Sequence, residues 1–460
     1  MQATIAEVCR EAGRPFVSVT LPPQEVSSGV LQIRVIAFKV GHVKVTGAAP
    51  ERYQANRIRI VPGEEIDARR LETDLDWANR NPFRQVEVVF GPGKDLATTD
   101  ATIKVTDRRW WQVYTGYANS GTILTDRNRY FIGATAAPIG DVVASYQLTG
   151  SSNFWADDGL FSNTGEAKYL SQAGRLVIPL GLRGSLELTG DQVRTNEQPV
   201  PLFRIRTETK EVSAIVRTAV PDWGAPAFGD VFAGVELKHQ QRTTFFDGLP
   251  VAQGDADIAQ GVIGWSGHWL DPLGKNNLDV RVKSNPGGIL PHNGRDDWNL
   301  FSNGRVTDNR TTFATVEYGR VTPLPLGLSL KSEVSGLLSS QPLPDTERVG
   351  LGGVQGVRGY VTEDGVVDRG AIMRNSLYLA TSMMPRQIPG AVAPFLIADV
   401  GRGRDLSLRR DTTLASVGAG IDYQSMPNAN LNLSAARALL DGPHTPAGSW
   451  RIALRASLGY

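Results

Sequence analysis

The chain carries one cysteine, Cys9, in 460 residues, so no disulfide can form within it. Its five histidines (His42, His239, His268, His292 and His444) are scattered without the spacing of a metal site, which removes zinc-type chemistry. No apolar run reaches the 18 or so residues that a spanning helix needs. The best stretch, Ile388 to Ala398, is shorter and contains Pro394, so a helical membrane protein is excluded. Charge of one sign is lacking too: 48 Lys and Arg balance 47 Asp and Glu, and no basic field for nucleic acid exists. Met1-Gln2-Ala3-Thr4-Ile5-Ala6-Glu7 lacks the basic-then-apolar order of a secretory signal, so an exported form is expected to start upstream of Met1. Nothing combines a nucleophile, a base and an orienting group, and neither enzymatic activity nor a cofactor is expected. Gly350-Leu351-Gly352-Gly353 has neither the spacing nor the following helix of a dinucleotide loop.

What is present is alternation. Mean hydropathy is −0.19, a value that a membrane β-barrel shares with soluble proteins because every second residue of its strands faces a polar lumen. From Trp110 to Tyr460 the chain reads as segments of about ten residues with period-two alternation, separated by Gly, Asp, Asn and Pro clusters, with no helix among them. The last is the clearest. Trp450, Ile452, Leu454, Ala456, Leu458 and Tyr460 share one face, while Arg451 and Arg455 lie on the other, which fits lipid outside and water inside. Val417, Ala419, Ile421 and Tyr423, then Leu431, Leu433 and Ala435, repeat the pattern. A soluble sandwich alternates in the same way, but the unbroken length and the aromatic that closes the last strand favour a closed barrel, which has no exposed edges.

The texture before residue 109 differs. Val43 and Val45 share a strand face; Asp67 can cap a helix that carries Leu71, Leu75 and Ala78 and stops at Asn81-Pro82. Val86, Val88 and Phe90 alternate in one strand, and after Gly91-Pro92-Gly93 so do Ala101, Ile103 and Val105 in another. Residues 1–36 read as the tail of a second such unit: a helix to about Ala12, a strand over Phe16 to Leu21, and another over Val30 to Ile36. Its opening strand is expected before Met1.

Two segments place charge where a strand-rich chain has no need of it: Gly352-Gly353-Val354-Gln355-Gly356-Val357-Arg358-Gly359-Tyr360, followed by Asp368-Arg369-Gly370, and Phe395-Leu396-Ile397-Ala398-Asp399-Val400-Gly401. They resemble the signature of the Omp85 superfamily and its two-partner secretion branch, the hemolysin secretion/activation transporters. Val357, Arg358, Gly359 and Tyr360 look like that family's VRGY tip on a long inward-folded loop. Ile397, Asp399 and Gly401 look like its F-x-D-x-G strand motif, with isoleucine at the phenylalanine position and Phe395 two residues earlier on the same face. Asp368 and Gly370 would support the loop. Leu21-Pro22-Pro23-Gln24 and Ser27-Ser28-Gly29-Val30-Leu31 resemble the end of a first POTRA domain, and Tyr117-Ala118-Asn119-Ser120-Gly121 resembles the opening of the first barrel strand.

The resemblance implies a mainly β protein: a transmembrane antiparallel barrel of sixteen strands over residues 109–460, preceded by part of a first POTRA domain (1–36) and a second (37–108). It implies translocation of a large unfolded exoprotein across the bacterial outer membrane, with the POTRA region in the periplasm and Arg84, Gln85, Val86, Glu87 and Val88 as the edge strand that captures cargo by β-augmentation. The implied partners are an exoprotein with an N-terminal secretion domain, outer-membrane lipid, and the barrel assembly machinery, for which Tyr460 would be the C-terminal signal; the chain would act as a monomer. Assembly of other barrels is the alternative, and a passive porin a further one that leaves the POTRA unit without a task. Taken alone, Arg358 reads as a solvated loop arginine and Asp399 as a strand-end turn former. Taken with the resemblance, they form a bidentate tether of the loop tip, worth about 1 to 3 kcal/mol in a partly hydrated lumen.

Overall fold

The computed structural model describes residues 2–11, 13–24, 31–47, 57–154, 167–220, 229–380, 390–425 and 428–460; Ser27-Ser28-Gly29-Val30 lies outside them. Helix α1 (Gln2–Glu11) precedes β1 (Val17–Thr20) and β2 (Arg34–Ala37), which pair antiparallel. Next come β3 (Lys39–Gly47), α2 (Ala68–Ala78), β4 (Arg84–Pro92) and β5 (Thr98–Asp107). They form a sheet in the order β3-β5-β4, with β3 parallel and β4 antiparallel to the central β5. As the spacing requires, Asp67 caps α2 by accepting from the Arg69 and Arg70 amides. The helix lays Leu71, Leu75 and Ala78 on Val40, Ile58, Val86, Ile103 and Val105, a self-contained core.

The rest is a single closed barrel. Its strands begin with β6 (Trp111–Ala118), β7 (Arg129–Ile139), β8 (Val142–Gly150), β9 (Tyr169–Pro179), β10 (Gly184–Val200), β11 (Phe203–Ala219), β12 (Asp230–Phe246), β13 (Leu249–Asp271) and β14 (Gly274–Asn285). After a short helix, α3 (Arg295–Phe301), come β15 (Thr311–Pro323) and β16 (Ser329–Ser339). A long loop then carries the two-residue strands β17 (Val349–Gly350) and β18 (Val366–Val367). The wall resumes with β19 (Arg369–Tyr378), β20 (Ala391–Asp405), β21 (Arg410–Ser425), β22 (Ala429–Ala438) and β23 (Trp450–Gly459). Each wall strand pairs antiparallel with its neighbour, and β23 closes on β6, so the ring of sixteen has no edge. At the seam the Tyr460 and Val113 backbones exchange hydrogen bonds of 2.8 and 3.1 Å, and the Tyr460 ring packs 5.9 Å from Trp111.

The alternation sorts the two faces as anticipated: Trp450, Ile452, Leu458, Val417, Ile421 and Leu433 are exposed on the outside. Two expectations are corrected. Strands are not all about ten residues: β10, β11 and β12 have 17 each and β13 has 23. Polar residues continue their alternation past the apolar band, and Asp247-Gly248, both at positive φ, supplies the tight turn that joins β12 to β13. The stretch is also not free of helix. α3 is held by tertiary packing of Trp298 and Phe301 on Ala256, Ile258 and Val306, which a seven-residue segment does not announce in its own periodicity.

Candidate functional site: a loop pinned inside the barrel

The loop between β16 and β19 folds back along the inner wall. Leu351, Val357, Tyr360 and Val367 are fully buried against Ile372 of β19, Leu414 of β21 and Ala438 of β22. Its tip is shaped by its own backbone: the Val357 amide donates to the Leu351 carbonyl at 2.7 Å, and the Leu351 amide to that of Gly365 at 3.0 Å. Gly359 takes φ +101, a conformation that favours glycine, and a Cβ there would also stand a tight 3.3 Å from the Ala436 backbone of β22. Tyr360 passes its ring into the wall and donates its hydroxyl to the Leu440 carbonyl at 2.8 Å.

Arg358 and Asp399 meet as a two-pronged pair. Nε donates to Oδ2 and Nη2 to Oδ1, both at 2.7 Å. The remaining guanidinium donors reach Ser376 Oγ and the Asn375 carbonyl, each at 3.0 Å. Asp399 also accepts from the backbone amides of Arg358 at 3.2 Å and Asn375 at 3.1 Å. Arg358 is 8% exposed and Asp399 4%. The pair is therefore buried, not partly hydrated, and the expected 1 to 3 kcal/mol is too low: removing one partner of such a pair costs about 3–5 kcal/mol. Ile397 and Phe395 both face inward and are buried; the Phe395 ring lies 5.9 Å from the guanidinium, the aromatic contact that isoleucine cannot make. Gly401 is required because a Cβ there would stand 2.8 Å from Val357 Cγ2.

Asp368, fully buried, accepts from the Leu343 and Leu406 amides at 2.8 and 2.7 Å, so it joins the loop's two roots to the β20–β21 turn. Gly370 lets β19 approach β20: a Cβ there would be 2.6 Å from the Arg402 carbonyl.

Sequence reasoning missed the loop's second attachment. Glu347, 8% exposed at the loop's root, reaches Lys238 Nζ on β12 at 2.6 Å and Lys283 Nζ on β14 at 3.7 Å. Lys238, 6% exposed, also contacts Glu211 at 3.0 Å, and Lys283 contacts Glu236 at 2.7 Å. Between β12 and β20 stand β13, β14, β15, β16 and β19. Root and tip thus grip different walls, and the loop is a strap across the lumen. A cavity of about 500 Å³ lined by Tyr318, Glu333, Gln355 and Arg374 lies beside the tip. The only sequence signal for Glu347 was an inward-facing lysine on an alternating strand, which has many candidate partners.

At the other end, the small sheet docks on the barrel through three aspartates. Asp74 of α2, fully buried, accepts from Arg59 of its own unit and from Arg183 Nε of the β9–β10 turn at 2.5 Å. Asp141, in the β7–β8 turn, accepts from Arg57, from Arg84 Nη1 at 2.6 Å and from Asn81 at 3.2 Å. Burial alone would push the Asp141 carboxyl up; the Arg57 and Arg84 guanidiniums overturn that and hold it below the usual carboxylate range. Asp230 of β12 meets Arg80 at 2.5 Å.

Of the anticipated capture strand, Arg84, Gln85, Val86, Glu87 and Val88 do lie on an edge, since among the described residues β4 pairs with β5 alone. Part of that edge is occupied. Arg84 is committed to Asp107 and Asp141, its amide donates to the Asn81 carbonyl at 3.2 Å, and Asn79 caps both backbone groups of Val86 at 2.7 and 3.1 Å. The open part runs from Val88 to Phe90.

Residues 230–423 match the family described as Haemolysin secretion/activation protein ShlB/FhaC/HecB. The chain is 21% identical over 467 residues to the heme/hemopexin transporter protein HuxB of Haemophilus influenzae, spanning 95% of this chain and 76% of that protein. Among solved structures it is similar to CdiB from Escherichia coli, with a TM-score of 0.75 and 16% identity, over 100% of this chain and 83% of that one. It is also similar to BamA from Haemophilus ducreyi lacking POTRA domains 1–3, at TM-score 0.55 and 12% identity, over 100% of this chain and 92% of that one. The structural likenesses carry the fold: a closed barrel of sixteen antiparallel strands.

Proposed function

We propose that the chain is an outer-membrane two-partner secretion transporter of the haemolysin secretion/activation kind, a reading supported by the family match over residues 230–423 and by the likeness to HuxB, and that its own residues move an exoprotein as follows. The observation that carries the mechanism is the strap: a loop fixed to one wall by Arg358–Asp399 and to another by Glu347–Lys238 obstructs the lumen until one end lets go. Residues 1–36 and 37–108 act as POTRA units on the periplasmic side. An unfolded secretion domain adds a strand to the open edge of β4 at Val88 to Phe90, where unpaired backbone groups and the alternate pockets of a sheet edge suit an extended peptide. Cargo entering the barrel favours the undocked strap by interacting with that state alone, and folding outside the cell makes passage directional. The transporter works as a monomer, with no cofactor, from binding and folding energy.

Two features support the tip as the part that moves. Within Val357–Tyr360 the side-chain ties to the wall come from Arg358 and Tyr360, with Asp364 holding His444 and Thr445 just beyond, and the root is held by several charges at once. The test is Arg358→Ala, with exoprotein secretion measured beside barrel insertion by heat-modifiable gel mobility. Loss of secretion with normal insertion is expected; normal secretion refutes the role of the pair.

A further inference from the structure

The outward face of β20 changes character at one residue. Val392, Leu396, Ala398 and Val400 face out, and the next two outward positions are Arg402 and Arg404. Their direction is fixed by the glycines beside them. A Cβ on Gly401 would stand 2.8 Å from Val357 Cγ2, and one on Gly403 2.7 Å from Val367 Cγ2, both in the lumenal loop. The arginines between and beyond these glycines therefore point to the lipid side. Register then sets Arg369 of β19 directly opposite Arg404, a like-charge pair of the kind that destabilises a sheet unless something neutralises it. Arg409 follows, exposed, in the β20–β21 turn, while Arg410 opens β21 opposite the inward-facing Asp405 and so lies on the other face. Against these four cations stands Asp411, 3.6 Å from Arg404. Asp405 faces inward and is taken by Arg348. Among the described residues, no carboxylate lies within ion-pair distance of Arg369, Arg402 or Arg409.

The position along the strand matters as much as the charge. Val392 to Val400 covers roughly 26 Å of strand, or about 20 Å of height at the usual tilt, close to the apolar band of an outer-membrane barrel. Arg402 and Arg404 thus begin where hydrocarbon ends, at the end of the barrel away from the small sheet. With that sheet in the periplasm, as the proposed function has it, this is the outer leaflet. Directly below lie exposed Leu396, Val400 and Val417, an apolar strip able to hold acyl chains.

We propose that Arg369, Arg402 and Arg404, with Arg409, form a binding site for the phosphate groups of an outer-leaflet glycolipid whose acyl chains lie on Leu396, Val400 and Val417. A guanidinium fork matches a phosphate bidentately, and the head group supplies the negative charge that Asp411 alone does not bring to the cluster.

The test uses the full chain purified in detergent and offered three probes: lipid A with both phosphates, dephosphorylated lipid A, and phosphatidylglycerol. Retained lipid is counted by native mass spectrometry. The parent is expected to retain bisphosphorylated lipid A at least tenfold better than an R402Q/R404Q double variant, and better than either other probe; R295Q, an exposed arginine on α3, should match the parent. Equal retention by the double variant, or equal retention of phosphatidylglycerol, overturns the site, as does displacement of the lipid by millimolar inorganic phosphate. No cargo is needed. Loss of retention with secretion intact therefore counts against the lipid site alone, and failed secretion with retention intact against the transport reading alone.

Discussion

Replacing Arg358 by alanine removes four hydrogen bonds at once: two to the Asp399 carboxylate, one to Ser376 Oγ and one to the Asn375 carbonyl. Asp399 keeps only two backbone donors and stays buried at 4% exposure. An uncompensated buried charge of this kind costs about 3–5 kcal/mol, so the docked tip should open two to four decades more often, at about 1.4 kcal/mol per decade. Removing both charges is a different perturbation. An R358M/D399L pair leaves no orphaned ion, and apolar replacements of buried pairs are often close to neutral; at least half of the lost docking should return. The readout is labelling of a cysteine placed at Val357, which is fully buried while the tip is docked, in a Cys9→Ala background. Labelling should accelerate at least a hundredfold in R358A and much less in the double variant. A rate in R358A within threefold of the parent would refute the claim that this pair fixes the tip, and equal rates in single and double variants would refute the buried-charge argument.

At the root, Lys238→Met strands Glu347 beside Lys283 at 3.7 Å, and single-channel conductance in planar bilayers should become noisier with larger openings; a trace like the parent's would remove the second attachment. Asp141, with its pKa held below the ordinary value, lends the docking of the small sheet a stabilisation that is complete above the unfolded Asp pKa of about 3.9 and is lost as pH falls through the depressed folded value. Hydrogen exchange across 57–84 should therefore be flat from neutral pH to about 5 apart from intrinsic rates and rise only below about 4, whereas Asp141→Asn should raise it at neutral pH. Val88→Pro removes an outward amide from the open edge at a position where proline is tolerated. Binding of a secretion-domain fragment should weaken at least tenfold with the sheet intact, and unchanged affinity would move capture elsewhere.

The period-two alternation of Trp450 to Tyr460, the capping Asp67 with Leu71, Leu75 and Ala78 behind it, and the Val357–Tyr360 and Asp399–Gly401 segments were legible in the chain because each is a pattern among near neighbours. Alternation assigns a residue to lipid or lumen from its parity alone, and a cap acts on amides two and three residues away. The same local logic could not foresee that β13 would run to 23 residues or that α3 would form, since both depend on what packs against them. Nor could it pair Lys238 with Glu347, Asp74 with Arg183, or Arg369 with Arg404. Those meetings are decided by the register accumulated around sixteen strands and by how the small sheet seats on the turns. Burial of the Arg358–Asp399 pair belongs with them: the sequence names both partners, but whether water reaches them depends on Leu351 and Tyr360 of the loop packing together with Phe395 of β20, and only the folded barrel brings those together.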